Sequence, residues 1–194
     1  MRQATVERKT NETALKVTVN LDGTGKAEIS TGIGFFDHML ELLARHGKLD
    51  LSIAAQGDLQ VDSHHTVEDT GLALGQALRE ALGAKVGIRR YGTFHVPMDE
   101  ALAMVSLDLS GRPFLVFDAP IAPVTLGSFE SECAEEFFRA LAFAAGFTLH
   151  MKVLYGRNTH HMLEALFKAL GQALRLAAGA DPRESGVPST KGVL

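Results

Sequence analysis

The sequence predicts an α+β fold built from two copies of one β-rich unit. Each copy carries two helices, and a pseudo-twofold axis relates the two. Three observations carry this reading. "TVEDTGLALGQALRE" in the first half returns as "MLEALFKALGQALRL" in the second. A histidine doublet opens each copy, His64-His65 and His160-His161, with Glu68 and Glu164 three residues on. Along each half the apolar residues switch from strict alternation to helical spacing and back. The doublets, the glutamates and the whole Leu-Gly-Gln-Ala-Leu-Arg stretch (Leu74 to Arg79, Leu170 to Arg175) coincide at an offset of 96 residues. Such agreement marks an internal duplication.

Taken in order, "ATVERKT" alternates as a strand. "ALKVTVNLDGTGKAEIST" reads as two alternating runs around an Asp-Gly turn, a hairpin signal. Beyond Gly34 the spacing turns helical in "FFDHMLELLARHG", which stops at Gly47 as a C-cap. "LDLSIAAQGDLQV" returns to strand, and the first doublet opens a helix running to about Gly83. In the second half, "EALAMVSLDLSGRPFLVF" mirrors the two runs with its own Gly-bearing turn. "ECAEEFFRALAFAAGF" is the next helix, "TLHMKVLYGRN" a strand, and His160 opens the last long helix. The expected organisation is one compact unit: a first repeat over residues 1–90, a second over 91–180, and a tail over 181–194 that lacks periodicity and is either loose or docked.

Composition narrows the function. The 194 residues are 46% hydrophobic and 7% aromatic, enough for a real core filled mainly by Ala and Leu. A net charge of −4 without a Lys/Arg run excludes a nucleic-acid footprint. No apolar stretch reaches the length of a membrane span, and the N-terminus lacks the apolar segment of a signal peptide. Cys133 is alone, which excludes an internal disulfide, fits a cytoplasmic location and reads as a small buried thiol.

Adjacent helical residues point about 100° apart, whereas neighbours three or four apart share a face. Glu68 can therefore share an ion with His64 or with His65, but the two histidines cannot comfortably face one ion. Two doublets imply two metal sites, each combining different helices. Imidazole with carboxylate suits Mn, Fe, Zn, Co or Ni, and ligand softness alone does not choose. His38 in "FFDHML" is a third kind of candidate, and Glu136 in "EEFF" occupies its repeat-equivalent position. His46, His95 and His150 read as structural.

For an anionic group the chain offers Arg90, Arg112 after a Gly turn, Lys168 on the last helix, and Ser189 with Lys191 in "PSTKG". Arg112 just after a Gly turn, and Ser189 with Lys191 in a Gly-flanked tail, suit phosphate best, since they supply charge-assisted donors and glycine allows close backbone approach. There is no P-loop and no Gly-x-Gly-x-x-Gly, so a nucleotide is not implied.

"GIGFFDHML", "DSHHTVEDTGLALGQAL", "RYGTFHVPMDEAL", "SLDLSGRP", "NTHHMLEALFKALGQALR" and "PSTKGVL" together resemble imidazoleglycerol-phosphate dehydratase of histidine biosynthesis, in order and over essentially the whole chain. The length leaves no space for the phosphatase domain fused to this enzyme in some bacteria, so the resemblance is to the monofunctional form. The resemblance implies a duplicated fold in a 24-subunit shell, with active sites between subunits and two manganese ions in each. It implies the ligands His38, His64, His65, Glu68, His160, His161 and Glu164, with position 136 completing the set. Many members have histidine where this chain has Glu136, which then either ligates as a carboxylate or leaves that ion a ligand short. Arg90, Arg112, Lys168, Ser189 and Lys191 would meet the substrate phosphate, with the tail folding over it.

The implied reaction is a dehydration to imidazole acetol phosphate. The proton to be removed is not next to a carbonyl, so the substrate's imidazole becomes the electron sink. With both ring nitrogens on metal ions the ring is held as imidazolate and passes through a diazafulvene. Glu12, Glu68, Glu164 and Asp99 are the candidate proton carriers. Glu164 and Glu12 come first, Glu12 also touching substrate, and a ligand carboxylate can serve only if its second oxygen is free. Two rival readings are a di-iron storage bundle, which needs four long helices uninterrupted by strands, and a binuclear metallohydrolase, which needs no basic tail. Storage gives no turnover, hydrolysis releases a fragment, and dehydration loses only water.

Overall fold

The structure is a computed structural model that describes residues 2–194. The first repeat runs β1 (Gln3–Lys9), β2 (Thr13–Asn20), β3 (Ala27–Ser30), α1 (Gly34–Gly47), β4 (Asp50–Gly57) and α2 (His64–Leu82). The second runs β5 (Tyr91–Met98), β6 (Ala101–Asp108), β7 (Phe114–Asp118), a small β8 (Thr125–Leu126) and β9 (Phe129–Glu130) pair, α3 (Cys133–Ala145), β10 (Thr148–Tyr155) and α4 (Thr159–Ala178). The two main sheets have the same topology, β1-β2-β4-β3 and β5-β6-β10-β7.

The duplication is therefore a property of the fold as well as of the sequence. In both sheets the third strand pairs parallel to the strand that follows the intervening helix: Ile29 faces Ile53, and Phe117 faces Met151. This corrects the expected hairpin. The runs before and after "DGTG" do not pair with each other, because β4 inserts between them, antiparallel to β2 and parallel to β3. The turn instead leans on Asp50, whose Oδ1 accepts from the backbone N–H of Thr24, Gly25 and Lys26 at 2.8, 3.1 and 2.9 Å. The hairpin that does form is β1–β2, closed over Thr10, whose hydroxyl accepts from the N–H of Glu12 and Thr13.

The four helices lie between the two sheets. α1 and α2 rest on the first sheet, α3 and α4 on the second, and across the middle α1 packs on α4 and α2 on α3. The glycine of the shared Leu-Gly-Gln-Ala-Leu-Arg stretch explains how close those contacts are. A Cβ at Gly75 would sit 2.6 Å from the Leu141 carbonyl oxygen of α3, and one at Gly171 would sit 2.7 Å from the Leu43 carbonyl oxygen of α1. Gly47 belongs to the same contact. It is the last residue of α1, buried against Gly171, and Lys48 takes the left-handed cap position at φ 55° that the sequence reading assigned to Gly47. The apolar stripes of the helices meet in one core that includes Phe36, Phe129, Phe137, Phe138 and Phe167, all with negligible exposure.

Candidate metal centre and anion cleft

Each doublet opens its helix beneath an oxygen-bearing side chain. The His64 N–H donates to Asp62 Oδ1 at 2.8 Å, and the His160 and His161 N–H groups donate to Asn158 Oδ1 at 2.9 and 3.4 Å. Asp62 and Asn158 stand at the same offset of 96 residues as the doublets, a repeat signal that the sequence reading passed over. Within each doublet the rings stand 6.2 and 6.1 Å apart and nearly perpendicular, so the two members face different surroundings.

The first members face the helix partner. His38 on α1 meets His160 and Glu164 on α4, with a donor atom from each within 4.8 Å of the others. Glu164 is buried; its Oε2 lies 3.1 Å from His160 Nε2 and 3.8 Å from His38 Nε2, and its Oε1 takes an ion pair from Lys168 Nζ at 2.5 Å. Burial alone would raise the Glu164 pKa, yet the Lys168 ammonium and the His160 ring hold it below the usual range. In the other half, His64 Nε2 lies 3.7 Å from Glu68 Oε2, and His64 and Glu136 line one cavity of about 350 Å³ between α2 and α3 with Asp62, Glu130 and Cys133. Glu136 Oε2 lies 3.5 Å from Arg139 Nε. Where α4 has Lys168, α2 has Leu72, so Glu68 lacks the partner that holds Glu164.

The second members turn toward carboxylates in the loops at the strand ends. His65 Nδ1 lies 3.1 Å from Asp58 Oδ2 and 3.8 Å from Glu12 Oε2. His161 Nδ1 lies 2.7 Å from Glu100 Oε2, and its Nε2 lies 3.8 Å from Asp99. The hydrogen bonds that the rings donate to Asp58 and Glu100 raise both imidazole pKa values. Glu100, which also accepts from the N–H of Asn158 and Arg157, is lowered to about 2. Asp58 and Glu100 were not among the sequence candidates. Glu100 could have been found as the repeat counterpart of Glu12, since each immediately precedes the second strand of its half.

The anion candidates divide. Arg90, Arg112, Ser189 and Lys191 line one cleft of about 720 Å³ together with Tyr91 and Pro188. Lys168 lies apart from them, against Glu164 and 3.5 Å from the Met98 sulfur. The tail is docked: the Gly87 N–H donates to Gly186 O, the Asp181 N–H to Gly87 O, and Arg90 Nη1 to Pro188 O at 2.9 Å. His46 lies half-buried in the last turn of α1, and burial together with the Lys168 charge lowers its pKa. His95 and His150 lie exposed in β5 and β10, and Cys133 is buried at the start of α3, its pKa raised by that burial. Among the described residues no helix is long and apolar enough to cross a membrane.

Comparison with known proteins adds an independent line. The family model described as imidazoleglycerol-phosphate dehydratase matches residues 31–174. The chain is 61% identical over 193 residues to imidazoleglycerol-phosphate dehydratase of Acetivibrio thermocellus, covering 100% of this chain and 99% of that protein. It is 61% identical over 194 residues to that of Streptococcus mutans, both chains being covered in full. Among solved structures, the Staphylococcus aureus dehydratase superposes with a TM-score of 0.84 at 42% identity, covering 92% of this chain and 99% of that one. The Pyrococcus furiosus dehydratase, in complex with (S)-C348, also gives 0.84, at 40% identity and 97% and 100% coverage.

Proposed function

The chain belongs to the imidazoleglycerol-phosphate dehydratase family, and on that premise we propose a metal-assisted dehydration served by two ligand clusters per chain. The enzyme is a hydro-lyase of histidine biosynthesis. One observation carries the metal reading: donor atoms of His38, His160 and Glu164, from two different helices, lie within 4.8 Å of one another. Two imidazoles and a carboxylate fit manganese. His38, His160 and Glu164 would hold one ion, and His64, Glu68 and Glu136 another, with Glu136 as a carboxylate ligand. Two manganese ions would then serve each active site, supplying Lewis acidity and a template for the substrate's imidazole ring.

His65 and His161 face away from their own chain's clusters, so they would complete the centres of neighbouring copies. A closed shell of 24 chains with sites between subunits satisfies that need. Their Nδ1 atoms are engaged by Asp58 and Glu100, which leaves Nε2 as the donor and orients the ring. Glu12 and Asp99 stand beside these same histidines and are exposed, so they would meet substrate held by a neighbour. Glu164 has its second oxygen on Lys168, which favours a ligand role; Glu12 and Glu68 keep a free oxygen for proton transfer.

The substrate phosphate would lie in the cleft of Arg90, Arg112, Ser189 and Lys191, where a guanidinium fork and a Gly-flanked tail supply donors. Lys168, at the Met98 end of β5 and apart from this cleft, would meet a phosphate only in the cleft of a neighbouring copy. The lone buried Cys133 fits a reducing cytoplasm.

The test is turnover of imidazole glycerol phosphate by chelated protein and by the same protein resupplied with manganese, each sized by light scattering. Activity and a large assembly returning together with manganese are the expected result. A chelated protein that remains fully active and fully assembled would remove the metal reading.

A further inference from the structure

Arg90 and Arg2 occupy the same step of the two repeats. The Leu109 N–H donates to Arg90 O at 3.1 Å, as the Leu21 N–H donates to Arg2 O at 2.9 Å. Each guanidinium grips an aspartate at the far end of the neighbouring strand: Asp108 is the last residue of β6, and Asp22 lies two residues past the end of β2. Arg90 Nε and Nη2 donate to the two oxygens of Asp108 at 2.8 and 3.1 Å, and Arg2 Nε and Nη2 donate to Asp22 Oδ1 at 3.1 and 2.6 Å. Each then places Nη1 on a carbonyl near or beyond the end of α4: Arg2 on Ala178 at 2.5 Å, and Arg90 on Pro188 at 2.9 Å.

The fold thus builds one clamp twice, and the two differ in what they hold. The Arg2 clamp ends on the last turn of α4. The Arg90 clamp ends on the residue just before Ser189, and Ser189 and Lys191 line the cleft that also contains Arg112. The second clamp is the better sheltered, with side-chain exposure of 12% for Arg90 and 18% for Asp108 against 33% and 43% for Arg2 and Asp22. The Tyr91 ring lies 4.8 Å from the Arg90 guanidinium carbon, stacking that side of the fork. A bidentate carboxylate fixes the guanidinium plane and still leaves N–H donors free for an anion.

Resting on the anion-cleft reading above, we propose that Asp108 is a positioning residue for the dehydration. It does not touch the phosphate. It fixes the Arg90 fork, and through the Pro188 carbonyl it sets Ser189 and Lys191 over the cleft. A preorganised tail costs less to order when substrate binds, so the benefit falls on substrate affinity rather than on the chemical step.

The experiment compares Asp108→Asn with Asp22→Asn, the same lesion in the clamp that holds no cleft residue, in the assembled full-length enzyme. KM and kcat, titration with inorganic phosphate, and amide exchange over residues 187–192 are read for each, with a thermal melt as a check on folding. Asp108→Asn is expected to raise KM about tenfold with kcat nearly unchanged, the loss of one charge-assisted pair. Phosphate affinity falls by a similar factor and the tail amides exchange faster, while Asp22→Asn moves none of these. Wild-type KM and tail protection in Asp108→Asn would overturn the proposal, and so would equal effects from Asp22→Asn. If Asp108→Asn melts much earlier than wild type, Asp108→Glu, which keeps the charge but displaces it, takes its place in the same comparison. Arg112→Ala separates the two levels of inference. Unchanged phosphate affinity there brings down the cleft reading and the role of Asp108 with it; a defect in Arg112→Ala without one at Asp108 sinks Asp108 alone.

Discussion

Lys168 Nζ lies 2.5 Å from Glu164 Oε1, while Glu164 Oε2 faces His160 and His38. One carboxylate thus serves a cation of its own helix with one oxygen and an imidazole pair with the other. The ammonium offsets the burial that would otherwise push the carboxyl toward its neutral form. Removing it with Lys168→Met raises the Glu164 pKa, and protons then compete with metal at a higher pH. Manganese retention measured across pH should fail at higher pH in the variant than in the wild type. An unchanged curve would show that Lys168 does not control this carboxylate.

The two proposed ligand sets differ in one donor, His38 in one and Glu136 in the other. Harder oxygen donors favour manganese, and imidazole favours zinc and its neighbours. Glu136→His should shift the competition between zinc and manganese toward zinc, and Glu136→Ala should lower bound manganese by about half. Metal analysis after dialysis reads both. His95→Gln and His150→Gln, on exposed strand faces, serve as controls and leave metal content unchanged.

Gly171 has no space for a methyl group: the nearest atom, Leu43 O, would lie 2.7 Å away on a helix that cannot retreat without opening the core. Gly171→Ala should destabilise the fold by about 1–3 kcal/mol. It should also widen the gap between His38 and His160, because α1 and α4 carry one each. Gly75→Ala should do the same to α2 and α3. Chemical denaturation gives the first quantity, and metal affinity of the still-folded variant the second.

Asp50 accepts three backbone N–H bonds from the turn before β3, and those bonds lower its pKa. A depressed folded-state pKa means the stabilisation is present above the unfolded value of 3.8 and is lost as pH falls through the folded value. Asp50→Ala should therefore lower the melting temperature at neutral pH and by progressively less in acid. A constant difference between the two proteins across that acid range would refute this account.

The family and the duplicated fold were legible in the sequence because duplication wrote the same motif twice. His64-His65 with Glu68 and His160-His161 with Glu164 repeat metal-competent donor types at one spacing, and alternation against helical periodicity located the four helices and most strands within a few residues, but not β5 (Tyr91–Met98). What the strands paired with was not legible. Apolar alternation says which face of "AEIS" is buried but not which strand lies beside it, and β4 took the place that a hairpin partner would have had. Likewise the sequence placed Lys168 among the cations for phosphate without naming its ion pair, although helical spacing within α4 sets it four residues from Glu164 and on the same face. Residue type and spacing along the chain determined which candidate donors this protein carries. Only the packing of α1 on α4 and α2 on α3 decided which of those side chains meet, because those contacts join residues far apart in sequence through glycines that let two backbones touch.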